Sequence, residues 1–183
     1  MLSVNDLKYI FYSDGNERRA DNAILTDIAY LIEINMLFYS KITLCSKNKY
    51  SFYIDQLKEG KLSQYDIAGG GIGHMVLKLI AMDVLRQNRE DDSPIVEQEF
   101  EGYRPDIMTR NRQTIIECGT INPQKLLAYF KSSIIRKLII IPYPSEEDNS
   151  ILGHTFTPGE ELLDFILFLE KDRLDKLRQI TGK

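Results

Sequence analysis

Apolar and polar positions divide the 183-residue chain into successive elements. Ile24, Leu25, Ile28, Leu31, Ile32 and Met36 recur at helical spacing and predict a helix over Asp21 to Tyr39. KITLCS and YSFYI, separated by the turn-like SKNK, read as short strands, and IDQLKEGKLSQY reads as a short helix. AGGGIG, residues 68–73, is the clearest punctuation. It lacks the Lys-Ser/Thr of a P-loop and the preceding strand of a dinucleotide site, so it reads as a hinge or helix-start loop. HMVLKLIAMDVLRQN is then a mostly buried helix, followed by the strand IVEQEFE, the segment YRPDIM and the strand QTIIECG. In NPQKLLAYFKSS, Asn122 can cap a helix whose first turn accepts Pro123. KLIIIP is a continuous apolar run, as in a strand buried on both faces. PSEEDNSILGHTFTPG reads as a polar loop, and GEELLDFILFLEKDRLDKL as a closing helix with Lys and Arg late, where the helix dipole favours them.

From Gly73 to Pro142 the order is therefore helix, strand, strand, strand, helix, strand. It predicts an α/β fold with a mixed central sheet flanked by helices. Residues 1–66 read as an N-terminal extension made of a helix and a short hairpin, residues 67–145 as the core, and residues 146–183 as an acidic loop and helix packing on it.

Composition adds little to this but excludes several classes. The apolar fraction is 43% and the charged fraction 27%, ordinary for a globular protein. Cys45 and Cys118 are too far apart in sequence for a disulfide scaffold or a zinc site, so a reducing, cytoplasmic setting is expected. MLSVNDLKYIFYSDG lacks the blocks of a signal peptide, and no stretch approaches the roughly 20 apolar residues of a membrane span. The net charge of −4 argues against bulk affinity for nucleic acid. The charge is uneven, however: Tyr103 to Lys137 holds seven basic residues against two acidic ones, and Ser145 to Glu170 holds seven acidic residues and no basic one. The basic stretch is suited to a phosphate backbone, or is a scatter of solvated charges.

The two acids inside that stretch are Asp106 and Glu117. Alternation along a strand puts Glu117 on the face of Ile115 and Gly119, and Glu99 on the face of Glu97 and Glu101. If the three strands are neighbours, Glu99, Asp106 and Glu117 converge. Three carboxylates at one point repel unless a cation joins them, and hard oxygen ligands suit Mg²⁺ or Mn²⁺. Such an ion polarises a phosphodiester and acidifies a bound water, and a nearby lysine orients that water or offsets charge in the transition state. The plainer readings are a wet edge-strand face for the three glutamates and a turn residue for Asp106. Glu117 resists one, because an unpaired carboxylate in an apolar strand is costly. Cys118 faces the other way and reads as a core thiol. His154 reads as an exposed, idle residue of the polar loop.

Glu99, Pro105-Asp106 and Glu117, on this order of elements, resemble the PD-(D/E)XK nuclease superfamily over about residues 70–145. The resemblance implies a restriction-endonuclease-like core and a metal-dependent endonuclease hydrolysing phosphodiester bonds, DNA being the usual substrate. It also implies a lysine where this chain has Gly119. Some branches carry that lysine on the next helix, which here offers Lys125, with Tyr129 on the same face, and Lys131 as the second choice. The order His74, Glu99, Asp106, Glu117, lysine is similar to viral cap-snatching endonucleases, which cut RNA and place a histidine on manganese. His74 reads otherwise as a polar helix-start residue. The implied set is thus Asp106, Glu117 and Lys125 for catalysis; Asp106, Glu117, Glu99 and His74 for Mg²⁺ or Mn²⁺; and Arg104, Arg110, Arg112 and Lys131 for nucleic acid. A homodimer is compatible with the resemblance, and no membrane partner is expected. The alternative is a catalytically inactive, nuclease-like module that binds nucleic acid or protein, for which Gly119 is the support. A third reading is a plain α/β domain in which the pattern is coincidence.

Overall fold

The computed structural model describes residues 2–12, 21–60, 71–168 and 171–172. Its elements are α1 (Val4–Tyr12), α2 (Asp21–Glu33), β1 (Leu37–Ser46), α3 (Lys47–Lys58), α4 (Ile72–Gln87), β2 (Ile95–Val96), β3 (Ile107–Met108), β4 (Thr114–Cys118), α5 (Gln124–Phe130), β5 (Lys137–Ile141) and β6 (Ser150–Pro158). A further helix covers residues 162–168. The six strands form one mixed sheet in the order β1-β6-β5-β4-β3-β2. Only β4 and β5 run parallel, joined by the crossover through α5; the remaining pairs are antiparallel. Helices cover both faces. Leu7, Phe11, Leu25, Leu126 and Tyr129 pack with Ile115, Leu138 and Phe156 on one. Leu57, Val76, Leu77 and Ile80 pack with Ile116, Ile139 and Ile151 on the other. Among the described residues no helix is long and apolar enough to cross a membrane.

The helix–strand–strand–strand–helix–strand order expected from Gly73 to Pro142 is present as α4-β2-β3-β4-α5-β5. Gly71 stands at the N-cap of α4, and the Asn122 side chain accepts the Gln124 amide at 2.9 Å at the head of α5. The boundary drawn between residues 66 and 67 lies outside the described residues, as does most of IDQLKEGKLSQY beyond α3 and the closing helix beyond residue 172. The segment before that boundary supplies α1, α2, α3 and the edge strand β1, paired with β6 along its whole length.

Four elements differ from the pattern. The α2 helix stops at Glu33, not Tyr39, because Asn35 takes a left-handed φ of 58°. The Asn35 amide donates to the Ile32 carbonyl and the Met36 amide to the Leu31 carbonyl, the paired bonds of a Schellman ending. KNK and YSFYI are not a turn and a strand but the start of α3: Ser46, at the end of β1, caps it by accepting the Lys49 amide. Tyr50, Tyr53, Ile54 and Leu57 then fall at i, i+3, i+4 and i+7 onto the second core. The expected polar loop contains β6, a nine-residue strand between β1 and β5. Finally, IVEQEFE is a strand only at Ile95–Val96, since Glu97 and Glu101 both adopt positive φ and break the ladder.

Candidate active site

The structure brings the two singled-out acids together at one end of the β3–β4 hairpin. Asp106 immediately precedes β3 and Glu117 lies near the end of β4. The Asp106 Oδ2 accepts the Cys118 main-chain amide at 2.8 Å, which anchors the aspartate beside Glu117. Glu117 is 3% exposed and feels the negative charge of Asp106.

Each carboxylate has its own cation. Lys125, in the first turn of α5, donates to both Glu117 oxygens at 2.9 and 3.1 Å. Tyr129, one turn later on the same face, donates its hydroxyl to Glu117 Oε1 at 2.5 Å. On the opposite face of the sheet α4 presents His74 and Lys78, four residues apart and therefore aligned. The His74 Nε2 is 3.0 Å from Asp106 Oδ1, and the Tyr143 hydroxyl is 3.4 Å from His74 Nδ1. Lys78, only 1% exposed, bonds Glu97 Oε1 and lies 3.4 Å from Asp106 Oδ1.

These surroundings drive the two acids apart. Burial pushes the Asp106 carboxyl up. The bonds from His74 and the Cys118 amide, with the charge of Lys78, outweigh burial and hold it below the usual carboxylate value. For Glu117 burial wins: its pKa is raised although Lys125 and Tyr129 pull it down. Asp106 is thus kept ionised while Glu117 takes a proton more readily, a division suited to acid–base work. Tyr129 is buried beside the Glu117 charge, which raises its own pKa and keeps it a donor.

Position 119 is closed to a lysine. Gly119 has a φ of +77°, and a Cβ there would lie 2.5 Å from the Tyr143 ring. Lys125 reaches Glu117 from the next helix instead.

Not every expected residue belongs to this cluster. Glu99 is exposed and does not join it. The left-handed turn at Glu97 breaks the alternation on which Glu99 was placed, and Glu97 is the residue drawn in, through Lys78. Arg104 is exposed at the rim, its Nε donating to the Glu97 carbonyl at 2.6 Å. Arg110 and Arg112 occupy the hairpin turn at the far end of β4, about 15 Å from Asp106 at strand rise. Lys131, the C-cap of α5, is exposed and away from Glu117. His154, expected to be exposed, is 4% exposed in β6 and bonds the Tyr39 hydroxyl through Nδ1 at 2.9 Å. Lys78 and Tyr143 were missed. The available signal for Lys78 was a lone lysine inside an apolar helix, one turn after His74.

Among the described residues no three His, Cys, Asp or Glu side chains are grouped so as to hold a metal ion. Asp106 and Glu117 are of the ligand type that hard divalent ions take, but in the structure the ammonium groups of Lys78 and Lys125 supply their counter-charge. No family model, no curated protein and no solved structure matches the chain.

Proposed function

We propose that the protein is a divalent-metal-dependent endonuclease that hydrolyses phosphodiester bonds in nucleic acid. The observation that carries this reading is the Lys125 ammonium on both oxygens of a buried glutamate whose neighbour across the hairpin is Asp106. An acid pair with an adjacent lysine is what the resemblance to PD-(D/E)XK nucleases requires. The element order α4-β2-β3-β4-α5-β5, with its single parallel crossover, agrees with the same restriction-endonuclease-like core.

Asp106 and Glu117 would hold Mg²⁺ or Mn²⁺. His74 holds Asp106 in place through its Nε2 and is itself steadied by Tyr143. A divalent ion held there would supply polarisation of the phosphodiester and a more acidic bound water. Lys125 balances negative charge that builds on the phosphate oxygens, and Tyr129 fixes the glutamate rotamer. The superfamily resemblance favours DNA; His74, beside Asp106, is the feature shared with RNA-cutting relatives.

The test is cleavage of labelled single- and double-stranded DNA and RNA with Mn²⁺, with Mg²⁺ and with EDTA. Cutting is expected in metal, abolished by EDTA and lost in Asp106→Ala, Glu117→Ala and Lys125→Ala. A folded wild type that binds but cuts nothing in either metal overturns the enzyme reading. It leaves the non-cleaving binding module, with Lys78 and Lys125 as permanent counter-charges.

A further inference from the structure

The helix that carries Lys125 and Tyr129 to Glu117 has a second face, and that face lines a cavity of about 470 Å³. Gln124, Leu127 and Lys131 line it, spaced at i, i+3 and i+7 along α5 and its cap, while Lys125 and Tyr129 occupy the neighbouring stripe. The cavity is also lined by Tyr30 and Asp27 of α2 and by Tyr103.

Tyr103 links the cavity to the acids. Its ring meets that of Tyr129 edge-on at 5.8 Å, and Tyr129 donates to Glu117. The cavity and the carboxylates therefore share one wall and lie within a helix diameter of one another, about 10 Å. Tyr30 lines it while 52% exposed, together with the half-buried Tyr103 and the apolar Leu127 and Ile166. Tyr30 and Tyr103 contribute aromatic rings to the lining, and the Gln124 amide offers a donor and an acceptor. Lys131 puts a cation at the rim. The size is that of a small-molecule site.

We propose that this cavity receives one unstacked nucleobase of a single-stranded substrate, seated against Tyr30 and Tyr103, while the neighbouring phosphate lies at Asp106 and Glu117. Base–aromatic stacking tolerates any sequence, and the polar edge of the base meets Gln124. A paired base inside a duplex cannot enter, so the preferred substrate is single-stranded or locally opened nucleic acid. This inference rests on the nuclease reading, since it uses the acids to place the phosphate.

The test is binding in EDTA, where no cutting occurs. Short fluorescent single strands of DNA and RNA, with and without abasic positions, are titrated against wild type, Tyr30→Ala, Tyr30→Phe and Gln124→Ala. Wild type is expected to bind base-bearing strands roughly 5- to 100-fold tighter than abasic ones. Tyr30→Ala and Gln124→Ala are expected to lose most of that preference, and Tyr30→Phe to keep it. Equal binding of abasic and base-bearing strands by wild type, or an undiminished preference in both alanine variants, overturns the pocket. The same proteins are then assayed for cleavage in Mn²⁺. Cutting by wild type without a base preference sinks the pocket and spares the nuclease. A base preference lost in Tyr30→Ala, without cutting in any metal, supports the pocket and sinks the nuclease.

Discussion

The ring of Tyr143 stands where a side chain at Gly119 would have to go, 2.5 Å from the position of its Cβ. Gly119 also holds a left-handed φ that costs other residues about 1–2 kcal/mol. Gly119→Lys therefore does not return a lysine to the strand. It is expected to lower the unfolding free energy by about 2–4 kcal/mol, read from the denaturant midpoint. Adding Tyr143→Ala relieves the overlap but not the backbone term, so only part of the loss returns. Wild-type stability in Gly119→Lys would refute this account of position 119.

Lys78 is a buried lysine that pairs with two acids, Glu97 and Asp106. Lys78→Met leaves Glu97 and Asp106 without it and should cost about 3–5 kcal/mol. Glu97→Gln should cost less, because Asp106 still faces the ammonium. The double variant should lose less than the sum of the two, by about 1 kcal/mol or more in a double-mutant cycle. Strict additivity would show that the pair is not formed in solution.

Lys125→Ala is expected to reduce kcat by about 100-fold or more at saturating Mn²⁺. Lys137→Ala serves as the control, for Lys137 pairs with Glu90 at the start of β5 and has no part in the site. Equal activity of the two variants would remove Lys125 from the chemistry. Circular dichroism on both separates lost function from lost folding.

His154 supplies a pH signature. Burial, with a smaller push from Lys41, lowers its pKa from 6.5 to about 4. The unfolded chain thus binds a proton between those values and the folded chain does not, so stability falls as pH drops from 6.5 towards 4 and is indifferent to this group above 6.5. The full loss is up to about 3 kcal/mol. His154→Gln should flatten that slope in thermal melts from pH 7 to pH 4, and an unchanged slope would show that another group is responsible.

Where sequence reading succeeded, the information was local. Glu117, Lys125 and Tyr129 lie within one strand–helix stretch, placed by alternation in β4 and the four-residue step in α5, and Asp106 lies just before the adjoining hairpin strand β3. Where it failed, a distant partner decided. Tyr50, Phe52 and Tyr53 have strand-forming side chains, but Ser46 caps a helix and the second core rewards its spacing. β6 mixes His, Thr and Gly with Ile151 and Phe156, so its sequence reads as a loop although strands pair with it on both sides and its Ile151 and Phe156 enter the two cores. Glu97 displaced Glu99 through one left-handed residue that alternation does not encode. Lys78 was passed over because the acids that hold it belong to later segments of the chain.

The pairing of β1 with β6 has a consequence for the timing of synthesis. Leu37 meets Pro158 and Ser46 meets Ser150, so the first strand made waits for the last. At about 5–20 residues per second, roughly 5–20 s separate them on the ribosome. For that interval β1 is an unpaired ten-residue edge bearing Phe38 and Ile42, which stay exposed even in the finished sheet. Asp106, Glu117 and Lys125 emerge almost together, so the acids and their lysine can meet while the outer half of the sheet is still missing its partner.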